Sequence, residues 1–205
     1  MDWTFVITAF VTMFVVIDPP GLAPLFVALT QGLPAQARRA IALRACITAT
    51  CVLAVFALFG EAVLNFVGIS MPAFRVAGGI LLFLTALDML FERRTKRRED
   101  RAETDDHHDP SVFPLGIPLI AGPGAIASII LLAGQRPGLE GLTIAFAVTL
   151  AVILLALLLF LASSLLERLL GRTGINVVTR LLGMLLAALS VQFVLDGLRD
   201  FGFAP

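Results

Sequence analysis

Charge is what this sequence has least of. Only 15% of its 205 residues are Asp, Glu, Lys or Arg, where an ordinary soluble domain carries about 25%. Hydrophobic residues reach 59% and mean hydropathy is +0.97. So little charge cannot cover several apolar helices with a polar surface, which excludes a soluble helical bundle and places the chain in lipid. Lys+Arg and Asp+Glu tie at 15 each, so no net charge draws a nucleic acid, and none is expected as a partner. Cysteine is almost missing. Cys46 and Cys51, five positions apart on a helix, lie on different faces, which excludes a disulfide or a metal pair. No H-E-x-x-H motif, no nucleophile–base constellation and no paired intramembrane acids occur, so neither enzyme chemistry nor a metal or cofactor is expected. The N-terminus also lacks Lys and Arg ahead of its first apolar run and lacks an A-x-A cleavage site, so this run is expected to stay as a membrane anchor.

What the chain does have is long apolar runs. About 20 mainly apolar residues cross the hydrocarbon core as a helix, and six such runs follow one another. They cover about 3–30, 41–64, 72–91, 111–134, 142–166 and 175–198. The first is interrupted by Asp18-Pro19-Pro20-Gly21 and the fourth by Ala121-Gly122-Pro123-Gly124. Six spans put both termini on one side. Arg38, Arg39, Arg44, Arg93, Arg94, Lys96, Arg97, Arg98, Arg101, Arg168, Arg172 and Arg180 fall on the other side, with only Arg75, Arg136 and Arg199 beside the termini. The positive-inside rule then makes the richer side cytoplasmic. Both termini are expected to face outward, toward the periplasm if the membrane is a bacterial inner membrane. Residues 92–110 form a charged cytoplasmic loop. Its Arg93–Arg98 run reads as a stop signal touching anionic lipid, and Asp105-Asp106-His107-His108-Asp109 reads as a solvated loop rather than a metal site.

The two halves of the chain resemble each other. Arg75, Gly78 and Thr85 in the third span match Arg180, Gly183 and Ser190 in the sixth at one constant offset, and Pro20-Gly21 matches Pro123-Gly124 at nearly the same offset. This predicts two three-helix repeats, 1–91 and 111–205. An odd number of spans in each makes the repeats inverted relative to one another, an arrangement common in secondary transporters with a midplane site. The expected fold is an all-α integral membrane protein with helices 1 and 4 discontinuous.

The breaks are the candidate site. Pro19, Pro20, Pro24 and Pro123 lack amide hydrogens and clash with carbonyls one turn back. The segments they open must face protein, a cavity or a ligand, because lipid cannot satisfy freed backbone groups. Half-helices starting near mid-membrane present amide-rich ends to an anion, while the preceding halves present carbonyls to a cation. A small amino acid carries both. Gly21, Leu22, Ala121, Gly122, Gly124 and Ala125 are the expected substrate-binding positions, and the small residues of the region (Gly21, Ala23, Ala121, Gly122, Gly124, Ala125 and Ala127) leave room but no large side-chain pocket. Asp18 is an acid deep in a span, which suits a proton carrier and equally suits a helix cap followed by proline. Arg75 and Arg180 near helix ends either snorkel to the interface or pair with carboxylates and gate the cavity.

Three ordered stretches resemble the MarC family of bacterial inner-membrane proteins. They are Asp18-Pro19-Pro20-Gly21-Leu22-Ala23-Pro24-Leu25-Phe26, Phe74-Arg75-Val76-Ala77-Gly78-Gly79-Ile80-Leu81-Leu82-Phe83, and Pro118-Leu119-Ile120-Ala121-Gly122-Pro123-Gly124-Ala125-Ile126. That family overlaps the small neutral amino acid transporters of the SnatA type. The resemblance implies six helices with the first and fourth discontinuous, and proton-driven transport of glycine- or alanine-like substrates. Its implied partners are a small neutral amino acid, protons and membrane lipid, and a homo-oligomer is compatible with it. The competing expectations are a channel or exporter for another small solute, and a membrane enzyme or scaffold. Counterflow exchange separates a carrier from a pore.

Overall fold

The computed structural model describes residues 3–91, 110–136 and 138–203. The expected basic stop signal and the Asp/His run lie outside the described residues, as do the side chains of Arg168 and Arg172. Two helices, α1 (Trp3–Ile17) and α2 (Pro19–Leu29), together make a first apolar stretch of 27 residues. Then come α3 (Ala35–Val67) and α4 (Met71–Leu90). A wide-turned segment α5 (Ser111–Ile120) and α6 (Pro123–Gly134) meet at a bend of 55°. Last are α7 (Leu139–Leu161) and α8 (Ser163–Asp200). Counting the bent pair as one, six stretches among the described residues are long and apolar enough to cross a membrane.

Local chemistry sets most of the boundaries. Gly68, at φ 81°, closes α3 with backbone bonds to Asn65 and Leu64, the left-handed ending that glycine favours. Ser70 then caps α4 by accepting from the Ala73 amide at 3.4 Å, with Pro72 in the first turn. The helices also outrun their apolar cores. α3 begins at Ala35 rather than near residue 41, so Arg38, Arg39 and Arg44 are helical. Counting apolar residues finds only the hydrocarbon-level portion, whereas Arg is a good helix former and can carry its charge outward. The expected connection between the fifth and sixth runs is itself mostly helical, broken at Gly171 with φ 60°.

The fourth span is disrupted further back than Gly122. Phe113 and Ile117 have extended dihedrals inside α5, and each precedes a proline that disfavours the α region for its neighbour. Hydrogen bonds there reach five residues back, from Leu115 to Pro110 and from Ala121 to Gly116.

α4 and α8 make the most extensive helix pair. Glycines allow it. A side chain at Gly79 would meet the Ser190 carbonyl at 2.8 Å, one at Gly183 would meet Ala86, and one at Gly197 would meet the Pro72 carbonyl at 3.0 Å. α3 packs on α5, α6 and α7. α7 in turn holds α1, α2 and α6, and α8 touches α2. Around this interior, Ile7, Leu58, Phe59, Leu154, Leu158, Leu185 and Leu195 are all exposed. In water that belt would be an aggregation surface; in a bilayer it is the lipid face.

A chain of contacts defines the two faces of the bundle. The end of α6 approaches Met71 at Gly134, Arg136 lies over the Phe5 ring, and Arg75 pairs with Asp200 near the C-terminus. Both ends of the described chain therefore share one face, here the termini face. The α2–α3 connection lies on the opposite face.

Candidate functional site

The first break is a single residue wide. Asp18 sits at φ 57°, ψ 61° and is fully buried. Its own amide donates to Phe14 and its carbonyl accepts from Leu22, so the chain turns without losing its axis. Pro19 and Pro20 supply no N–H to the carbonyls of Val15 and Val16 one turn back. The Gly21 amide instead donates to Asp18 Oδ1 at 3.1 Å, making Asp18 the N-cap of α2. The Thr179 hydroxyl of α8 donates to the same oxygen at 3.5 Å, tying the break to the sixth span.

The second break carries no such cap. Gly122 is extended at φ −84°, ψ 169°, Pro123 opens α6, and no side chain bonds the first-turn amides. Where the first repeat has an acid, this one has Ala121. The amide end of α2 thus holds its own carboxylate, and the amide end of α6 holds none.

The two breaks touch. A side chain at Gly124 would lie 3.2 Å from Val16 Cγ1, 3.5 Å from Leu82 and 3.8 Å from the Thr85 hydroxyl. The carbonyl end of α1 therefore abuts the amide end of α6, with α4 behind. Of the residues singled out from the sequence, Asp18, Pro19, Pro20, Leu22, Ala121 and Ala125 are buried here. Gly21, Pro24, Gly122 and Gly124 are half-buried, and Pro123 is exposed. An apolar groove of about 370 Å³ lined by Trp3, Val6, Ile7, Phe10, Ala147, Val148 and Ala151 lies between α1 and α7 and takes in none of them.

Arg75, with its side chain 14% exposed, pairs with Asp200 and so locks α4 to the end of α8. Arg180 is exposed and directly follows the Thr179 that reaches Asp18. Thr85 and Ser190 bond carbonyls of their own helices.

On the face opposite the termini, one arginine joins three elements. Arg38 at the start of α3 donates to the Thr30 hydroxyl at 3.1 Å and to Ser163 at 3.3 Å, and its guanidinium lies 5.6 Å above the Phe26 ring. Phe26 stacks on Phe160 at 4.8 Å. Neither this cluster nor Thr179, Val16 and Asp200 was distinguishable in the sequence, since each depends on a partner far along the chain. Among the described residues, no group of three or more His, Cys, Asp or Glu could hold a metal ion.

Comparison with known proteins covers nearly the whole chain. The family model described as MarC family integral membrane protein matches residues 3–201. A UPF0056 membrane protein of Aquifex aeolicus is 36% identical over 197 residues, 95% of this chain and 92% of that one. One from Methanocaldococcus jannaschii is 38% identical over 97% of this chain and 98% of its own. The UPF0056 membrane protein YhcE of Escherichia coli is 34% identical over 93% and 90%. No solved structure matches the chain.

Proposed function

Because the chain belongs to the MarC family of integral membrane proteins, we propose that it is a secondary transporter of small neutral amino acids, glycine- or alanine-like, coupled to protons and working by alternating access. The observation that carries this reading is the meeting of the carbonyl end of α1 with the amide end of α6 at Val16 and Gly124. The α6 end offers uncapped donors to a carboxylate, and the carbonyl oxygens at the α1 end, each able to accept more than one hydrogen bond, can take an ammonium group. The small residues around them suit a ligand with little or no side chain.

The inverted repeat is part of the proposal, and the packing supports it. Exchanging α1 with α5, α2 with α6, α3 with α7 and α4 with α8 leaves most of the helix contacts in place. The pairs α4–α8 and α3–α7 map onto themselves. α1–α7 exchanges with α5–α3, α2–α8 with α6–α4, and α2–α7 with α6–α3. A carrier built this way rocks one repeat against the other around its midplane. Asp18, buried at the break and touching α8, is the proposed proton carrier. The burial of Asp18, Ala121 and Ala125 favours a carrier over an open pore. The proposed location is a bacterial inner membrane, and the Lys and Arg asymmetry supports an orientation with both termini outside.

The test is uptake of labelled glycine into proteoliposomes holding the purified chain. Saturable uptake that rises with an imposed ΔpH, and counterflow driven by unlabelled glycine, are the expected results. Linear, non-exchanging flux would indicate a pore, and failure of every neutral amino acid to move would end the substrate assignment.

A further inference from the structure

Two fully buried hydroxyls, Thr12 on α1 and Ser128 on α6, have no hydrogen-bond partner among the described residues. Hydroxyls in helices commonly bond the carbonyl one turn back, as Thr50, Thr85 and Thr149 do here at 2.8, 3.0 and 2.7 Å. A buried polar group left without a partner is costly and calls for a reason.

The register of α1 against α6 brings these two together. At one end Arg136, just past α6, lies 5.0 Å from the centre of the Phe5 ring. At the other end Gly124 approaches Val16. Two such contacts fix the helices as antiparallel. Thr12 lies one turn from Val16 along α1, and Ser128 lies one turn from Gly124 along α6. They therefore stand level across the α1–α6 seam, one turn toward the termini face from the uncapped start of α6. The repeat does not explain them. At the matching positions of the other half stand Leu25 and Leu115, both buried and apolar.

We propose that Thr12 and Ser128 are ligands for the carboxylate of the transported amino acid, holding it in the α1–α6 seam one turn toward the termini face from the break. This rests on the amino acid transport reading above, and adds a second carboxylate position to the one at the first-turn amides of α6, whose N–H groups point away from the termini face. The two hydroxyls form a donor pair without a fixed positive charge, suited to a carboxylate whose ammonium partner stays on the same molecule. One hydroxyl comes from each repeat, and the site lies on the termini side of the break only.

Thermal unfolding of the purified full chain, with and without glycine or glycinamide, tests this. Thr12→Val and Ser128→Ala remove the hydroxyls at nearly constant shape. Without ligand both variants should unfold at the wild-type temperature or higher, because each loses an orphaned polar atom. Glycine affinity, read from the ligand-induced shift, should weaken about tenfold per hydroxyl removed. Glycinamide, which has no carboxylate, should bind both variants as poorly as it binds wild type, and Thr12→Ser should retain glycine affinity. If wild type binds glycine and both variants bind it equally well, the hydroxyl site is wrong and the transport reading stands. If wild type binds no neutral amino acid, the transport reading fails and takes the site with it.

Discussion

Asp18 holds a conformation that few non-glycine residues adopt, with φ at 57°. Asp is among those that tolerate it, because its short side chain bonds the local backbone. That bond requires a glycine three positions on. A Cβ at residue 21 would overlap the Asp18 carboxylate, so Gly21→Ala must evict the cap. The expected cost is about 1 kcal/mol, typical of a lost N-cap, measured by denaturation in detergent. Asp18→Asn separates the cap from the proposed proton role. Asn caps a helix about as well as Asp, so stability should change little. Proton-driven uptake should vanish while glycine exchange survives. Wild-type proton coupling in that variant would remove Asp18 from the transport step.

At the scale of helices, α4 and α8 owe their close approach to residues without side chains. The positions differ in how much a new methyl would disturb. At Gly79 it would press on backbone, the Ser190 carbonyl and the Val194 amide, whereas at Gly78 it would meet chiefly the end of the Leu131 side chain. A leucine tip can rotate and a neighbouring helix backbone cannot. Gly79→Ala should therefore destabilise by about 1–3 kcal/mol, in the range of overpacked sites, and Gly78→Ala by clearly less. Equal losses would show that the α4–α8 interface yields more readily than its geometry implies. The Arg38 cluster works differently. A single guanidinium reaches Thr30 and Ser163 at once, and its planar fork has no equivalent in an ammonium. Arg38→Lys should loosen the α2–α8 closure on that face. A cysteine introduced at Thr30, buried in this structure, should then react faster with a soluble maleimide than it does with Arg38 present. An unchanged rate would mean that the Phe26–Phe160 stack alone closes that face.

For the whole molecule, the decisive feature is sidedness. Phe5, Met71, Arg136 and Asp200 share one face, and Thr30, Arg38 and Ser163 share the other. In a background lacking Cys46 and Cys51, single cysteines at Glu140 and Gln31 should therefore be labelled from opposite sides of the membrane. The proposed orientation predicts that an impermeant reagent reaches residue 140 in intact spheroplasts and residue 31 only after permeabilisation. Labelling of both from the same side would overturn the six-span arrangement.

Much of this was written in the sequence, because lipid leaves a chain few options. Apolar length fixed how many spans there are, proline and glycine fixed where the first and fourth are interrupted, and both signals are local. The sequence also offered Asp18 as a helix cap ahead of proline, and in the structure its carboxylate takes the Gly21 amide. What it could not contain is register between distant helices. Arg75 finding Asp200, Thr179 reaching Asp18, and Thr12 standing level with Ser128 all depend on how far one rod slides along another. That offset is set by glycines and side-chain packing summed over the whole interface. A lone threonine in an apolar run looks like any other until the helix opposite it is known. Only the tertiary structure decided which hydroxyls in this protein were left without a partner.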